Sequence, residues 1–281
     1  MVNRLTLESA IRPSTKLSTL PDALNNLKAL LDRDDVSFDR LGSAFGVDPV
    51  LTLRLMVAAG PRFVDEVPQL GEAARVMGVD RLRDLVDQVP VQTADKSEWS
   101  LKAIHTHSQA VAVAASLLAK KMNLPPHMCY IAGLVHDIGK VILLEHFGDD
   151  CLAMRQQAAR AGSTFYTAEV ESGDPSHAQI GRRFASVIEL QPQLLEAIAY
   201  HHTITAAKSH SNLAAVVAMA DLIARVTAIG DPGDPFIPPL LTPVRVALSL
   251  QPSDLPDLIV GTVRGMRDIK AIAQSGLRTA A

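Results

Sequence analysis

His136, Asp137 and Lys140 fall inside IAGLVHDIGKVILLEH, residues 131–146, a run that is otherwise largely apolar. Burying an imidazole, a carboxylate and an ammonium together costs several kcal/mol unless they pair with each other, with a metal or with a phosphate. An Asp–Lys helix pair accounts for Asp137 and Lys140 and leaves His136 unexplained.

Four further segments set polar groups on apolar elements. His107 shares a helical stripe with Ile104, Val111, Ala114 and Leu118, whereas His105 points elsewhere. Asp174-Pro175 reads as an N-cap followed by a first helical residue, so His177 sits in a first turn, where a neutral imidazole is better placed than a cation. LLEAIAYHHT ends a helix with His201 and His202, which favourable charge–dipole contacts would also explain. Asp221 stands inside NLAAVVAMADLIARV and needs a strong partner: Arg225 at i+4, a metal or a metal-bound histidine.

Together, His107, His136, Asp137, His177, His201, His202 and Asp221 are nitrogen and oxygen ligands carried by five expected helices. A set without cysteine suits iron, manganese, zinc or nickel. It exceeds what one tetrahedral ion takes, so two ions bridged by Asp137 is the natural arithmetic. With no metal bound, the same residues would form a hydrogen-bonded cluster.

The elements that must position these groups are helical throughout. Leu20-Pro21-Asp22 opens a helix to about Asp32, Ser37 caps a second, Asp48-Pro49 starts a third ending at Gly60, and two short helices close at Pro90. A long helix is expected from Ser97 to Met122, then helices over 127–135, 138–146, 149–161, 175–189, 192–202, 211–229, 242–250 and 253–275. The class is all-α. The polar stretch 93–100 divides an N-terminal helical bundle, 1–96, from a helical core carrying the candidate metal site, 97–230; a Pro-rich loop and helical tail follow over 231–281.

Composition narrows the function. Of 281 residues, 48% are hydrophobic and 20% charged, which suits a globular protein with a sizeable core. A net charge of −3, with no basic block interleaved with aromatics, excludes a broad nucleic-acid surface. Cys129 and Cys151 have no metal or disulfide spacing and read as core thiols in a reducing compartment. MVNRLTLESAIRPSTK lacks the apolar region of a signal peptide, and polar residues interrupt the apolar stretches short of a membrane span. A cytoplasmic protein bound to neither membrane nor nucleic acid is expected.

The order H … HD … H … HH … D resembles the HD superfamily of metal-dependent phosphohydrolases, with HDIGK supplying its lysine as Lys140. More specifically, STLPDALNNLKALL, GLVHDIGKVILL, HAQIGRRF and AIAYHH resemble an HDOD domain, the HD-related output domain of bacterial signalling proteins, over roughly residues 13–225. The resemblance implies an N-terminal helical bundle packed on an HD-like core, a regulatory module with a protein partner, and a receiver or other signalling domain as a possible companion. The bundle helix at 49–59 and the loop at 230–239 are the candidate partner surfaces.

If the chain is instead an enzyme, the resemblance implies a phosphohydrolase or phosphodiesterase in which Asp137 and Lys140 are catalytic. His107, His136, Asp137 and Asp221 would hold one ion, Asp137, His177, His201 and His202 the other, and Lys140 would neutralise phosphate charge. Two departures stand out. PRFVDEV replaces the Asn-Ser with nearby Tyr-Gly usual in HDOD proteins, and TITAAKSHSN lacks the acidic residue, DG pair and Gly-Tyr-Pro signature of cyclic di-GMP phosphodiesterases. The second argues against cyclic dinucleotide hydrolysis.

Overall fold

The computed structural model describes residues 11, 17–63, 66–92, 99–234 and 236–277. Most of the N-terminal stretch, two residues of PRFVDEV and residues 93–98 of the expected boundary lie outside the described residues. Among the described residues there are fourteen α-helices, three short 3-10 turns and no strand beyond an isolated bridge between Thr19 and Val91.

The first five helices are α1 (Pro21–Leu31), α2 (Phe38–Phe45), α3 (Pro49–Ala59), α4 (Leu70–Met77) and α5 (Val79–Asp87). Leu20 is the N-cap of α1 and Pro21 its first residue, a position that needs no N–H. Ser37 accepts the Arg40 N–H at the start of α2, and Asp48 accepts those of Val50 and Leu51 at the start of α3. Leu27, Leu30, Leu41, Phe45 and Leu82 form the centre of this bundle. The face of α3 carrying Leu51, Leu55 and Ala59 joins that core, while Val50, Leu53 and Met56 enter the second, larger one. So α3, a candidate partner surface by sequence, is mostly buried.

The second core gathers around α6 (Leu101–Met122), which packs against α7 (Pro126–Val135), α12 (Ser211–Val226) and α14 (Leu255–Ile272). Between them run α8 (Ile138–Ala161), α9 (Phe165–Ser172), α10 (His177–Val187) and α11 (Pro192–Tyr200); α13 (Thr242–Leu248) packs on α12. Three expectations are corrected. Ser100 caps α6, so that helix begins at Leu101 rather than Ser97. The two helices expected over 138–146 and 149–161 are both present within α8, separated by the non-helical backbone of Phe147, beside Gly148. Helix α9 falls where none was expected. Finally, Ser176 rather than Asp174 caps α10, through a reciprocal pair with Gln179.

The tail is fastened to the bundle. Asn26 of α1 donates to Ile272 O and accepts the Gly276 N–H, and Arg40 donates to Ser275 O. Residues Pro126–Ala161 contain a window apolar enough for a membrane span, but 78% of that window is buried inside the protein. The run is a core element, interrupted by His136 and Asp137 at the joint of α7 and α8.

Gly139 of the HDIGK segment lies where α8 meets α10, and a Cβ there would overlap the carbonyl of His177. Gly139→Ala is therefore expected to cost about 1–3 kcal/mol or more, read from the urea midpoint. Gly148→Ala, in open space on the same helix, should show no such loss.

Candidate functional site

The apolar helices α7 and α8 end and begin around a two-residue joint, which turns His136 and Asp137 into the core; each is 1% exposed. Asp137 Oδ2 accepts from Lys140 Nζ at 2.8 Å and lies 3.2 Å from His136 Nε2. Its other oxygen, Oδ1, lies 3.2 Å from His177 Nε2 and 3.7 Å from His201 Nε2. His202 Nε2 is 3.0 Å from His177 Nε2. On the far side of His136, the His107 ring lies 5.7 Å away between centroids, and His107 Nε2 is 2.9 Å from Asp221 Oδ1. All seven candidate ligands thus converge, with Lys140 among them.

The outer nitrogens decide what the inner ones can do. His136 Nδ1 is 2.7 Å from Gly133 O and His201 Nδ1 is 2.9 Å from Ile198 O. A carbonyl only accepts, so both Nδ1 atoms carry the hydrogen, and in its neutral form each ring turns an Nε2 lone pair inward. Buried lone pairs facing a buried carboxylate require a cation between them, either a proton or a metal. His136 Nε2 and Asp137 Oδ1 have no aligned hydrogen-bond partner. Two sets of donors lie close enough to share an ion: His177, His201 and His202, and His107, His136 and Asp137. These imidazole and carboxylate donors suit a divalent metal, and the outer nitrogens of His136 and His201 are already fixed.

Charge is distributed unevenly. Burial opposes ionisation of Asp137, but His136 and Lys140 outweigh it and hold the carboxyl well below its usual range. Burial is likewise overcome at Asp221 by Arg225 and His107. Burial pushes His201 down to about 3 and His202 well below the ordinary imidazole value. Both shifts favour the neutral ring, whereas a helix-dipole contact would favour the charged one. His107 is lowered by burial against the pull of Asp221. At His177 burial also opposes charge, yet Glu169 prevails and the pKa is raised. Glu169 is a carboxylate that sequence reasoning missed, and it draws the first-turn imidazole of His177 toward the charged form.

Three other groups escaped the sequence reading. Glu169 of α9 is 1% exposed and contacts His177. His105, read only as pointing elsewhere, is buried with Nδ1 3.1 Å from Asp48 Oδ2, the carboxylate that caps α3 and takes the Thr19 hydroxyl hydrogen. Asp234, inside the Pro-rich loop, binds Arg225 and the Phe165 N–H. That loop is also held by Trp99 Nε1, which donates to Asp231 O, and by the Arg155–Asp231 pair. Beside it, a cavity of about 290 Å³ reaches the cluster, lined by Tyr166, His201, His202, Asp221, Arg225 and Pro238 among others. Tyr166 stacks on His202 at 4.3 Å. Lys140 does not line this cavity.

The HDOD domain family matches residues 17–204, more than half of the chain, and the chain belongs to that family. The fold is shared with the MmoQ response regulator of Methylococcus capsulatus, at a TM-score of 0.67 and 18% identity over 87% of this chain and 98% of that one. It is also shared with a virulence factor of Campylobacter jejuni, at TM-score 0.61 and 18% identity over 80% and 84% of the two chains. An HDOD domain protein of unknown function from Geobacter sulfurreducens is 25% identical at TM-score 0.51, over 92% and 93%. No curated protein matches the chain.

Two outcomes are expected in chelator-treated protein. Asp137→Ala leaves Lys140 buried and unpaired and should cost about 3–5 kcal/mol in chemical denaturation; adding Lys140→Met should recover part of that loss. His201 has a folded pKa of about 3 against an ordinary 6.5, so its contribution is present above pH 6.5 and is lost as pH falls toward 3. His177, raised, acts in the opposite sense. The loss of stability from pH 7 to 5 should therefore be smaller in His201→Gln than in the wild type, by about 2 kcal/mol.

Proposed function

We propose that this chain is an HDOD-type output module of bacterial signal transduction, working through a protein partner, with a metal-competent His–Asp cluster kept in its core. The observation that carries the metal half of this reading is the common orientation of His136 and His201. Each spends Nδ1 on a carbonyl and turns Nε2 toward Asp137. Family membership and the fold shared with a response regulator support the regulatory half. The donors that would hold the ions are His107, His136 and Asp137 with Asp221 on one side, and His177, His201 and His202 on the other; iron, manganese, zinc or nickel suits them.

The cavity against His201, His202 and Asp221 favours a second reading, a metal-dependent phosphohydrolase. Bound divalent ions would supply Lewis-acid chemistry to a phosphoester there. In that role Arg225 and Tyr166, at the cavity wall, would contact the ligand, and Lys140 would act from beneath Asp137 by holding its charge.

Elemental analysis of protein purified without chelator or metal-affinity resin tests the metal half. About two transition-metal ions per chain, lost in Asp137→Asn, is the expected result; no metal in the wild type would make the cluster a hydrogen-bonded structural element. Robust turnover of any phosphoester by the metal-loaded wild type, abolished in Asp137→Asn, would overturn the regulatory reading in favour of the enzyme.

A further inference from the structure

The three histidines nearest Asp137 reach it from different ends of helices, and this changes what can hold them. His136 follows the last residue of α7, and His201 follows the last residue of α11. The carbonyls three residues back, Gly133 O and Ile198 O, lie in last turns where carbonyls lack intrahelical partners, and they accept from Nδ1. His177 is the first residue of α10. No helical carbonyl lies behind it, and its own backbone N–H is among those a helix start leaves unpaired.

Glu169 meets both needs. Its Oε1 accepts the His177 backbone N–H at 2.7 Å, and its Oε2 lies 2.6 Å from His177 Nδ1. The carboxylate is 1% exposed and divides its two oxygens between the backbone and the ring of one residue. An ionised carboxylate only accepts, so the hydrogen stays on Nδ1 and Nε2 faces Asp137 Oδ1 and His202 Nε2. The other neutral tautomer would place a hydrogen on Nε2 and remove that lone pair from the cluster.

We propose that Glu169 is the positioning residue of His177: it takes the place that helix-end carbonyls fill for His136 and His201, and it fixes the ring with Nε2 directed at Asp137. The metal part of this inference rests on the metal-competent reading above; the tautomer part does not.

Long-range proton–nitrogen NMR of metal-free protein, well above the titration range of the ring, reads the tautomer directly. Wild type should show His177 with hydrogen on Nδ1; hydrogen on Nε2 would overturn the proposal with no variant needed. Glu169→Gln, whose amide can donate to Nδ1, should shift His177 toward the Nε2–H form. In chelator competition with zinc the same variant should bind about 10- to 100-fold more weakly, at an unchanged helical circular-dichroism spectrum. Glu171→Gln, on the exposed side of α9, should leave both readouts as in wild type. An unaltered tautomer in Glu169→Gln would sink the idea. A wild type with the Nδ1 hydrogen that binds no zinc would remove the metal reading and leave Glu169 its positioning role.

Discussion

Asp137 is a carboxylate at the joint of two apolar helices, and without nearby positive charge and donors its burial would cost several kcal/mol. Lys140 reaches it from three residues along α8 and His136 from the position before it, so two partners are supplied locally. The remaining groups must come from elsewhere in the chain, so α6, α10 and α11 deliver His107, His177 and His201 to the same point. The order of packing in the larger core follows from this. α10 has to lie against α8 closely enough for His177 to reach Asp137, and the absence of a side chain at Gly139 allows that approach.

Helix ends as well as side chains hold the cluster. Carbonyls without intrahelical partners at the ends of α7 and α11 orient His136 and His201. An isolated pair of buried charges gains little net stability, but here the outer nitrogens of His136 and His201 are fixed by carbonyls at helix ends and that of His177 by Glu169. Rigid placement of inward lone pairs is what separates a site able to hold a cation from histidines that merely fill a core.

Much of this was legible from residue types and spacing. Ser37 and Asp48-Pro49 marked helix starts because capping is local chemistry, and the seven candidate ligands stood out because polar groups in apolar helices need partners. Glu169 was not legible. Its helix is eight residues of FYTAEVES with no marked apolar face, and its partner lies eight residues on across a turn, beyond any helical period. The cap of α10 was misread for a related reason: Asp174 and Ser176 are both good caps, and only the reciprocal bond with Gln179 decides between them. The pairing of His105 with Asp48 joins positions 57 residues apart, which no local pattern encodes. Docking of the tail onto α1 through Asn26 spans an even longer separation.

The Pro-rich loop illustrates how composition can identify a segment and mistake its condition. GDPGDPFIPP is irregular, as its glycines and prolines dictate, yet its inner side is fixed by Trp99, Arg155 and Arg225, while Phe236 and Ile237 remain outward and exposed. Arg225 is the shared element. One guanidinium neutralises Asp221 in the cluster through Nε and Asp234 in the loop through Nη1. Burial opposes its charge, but the two carboxylates outweigh that and raise its pKa, so it stays a cation. A second cation at Asp221 would compete with Arg225 for that carboxylate and leave Arg225 more fully to Asp234. Arg225 therefore belongs both to the cluster and to the loop's anchoring, which gives a surface segment a direct electrostatic connection to the buried site.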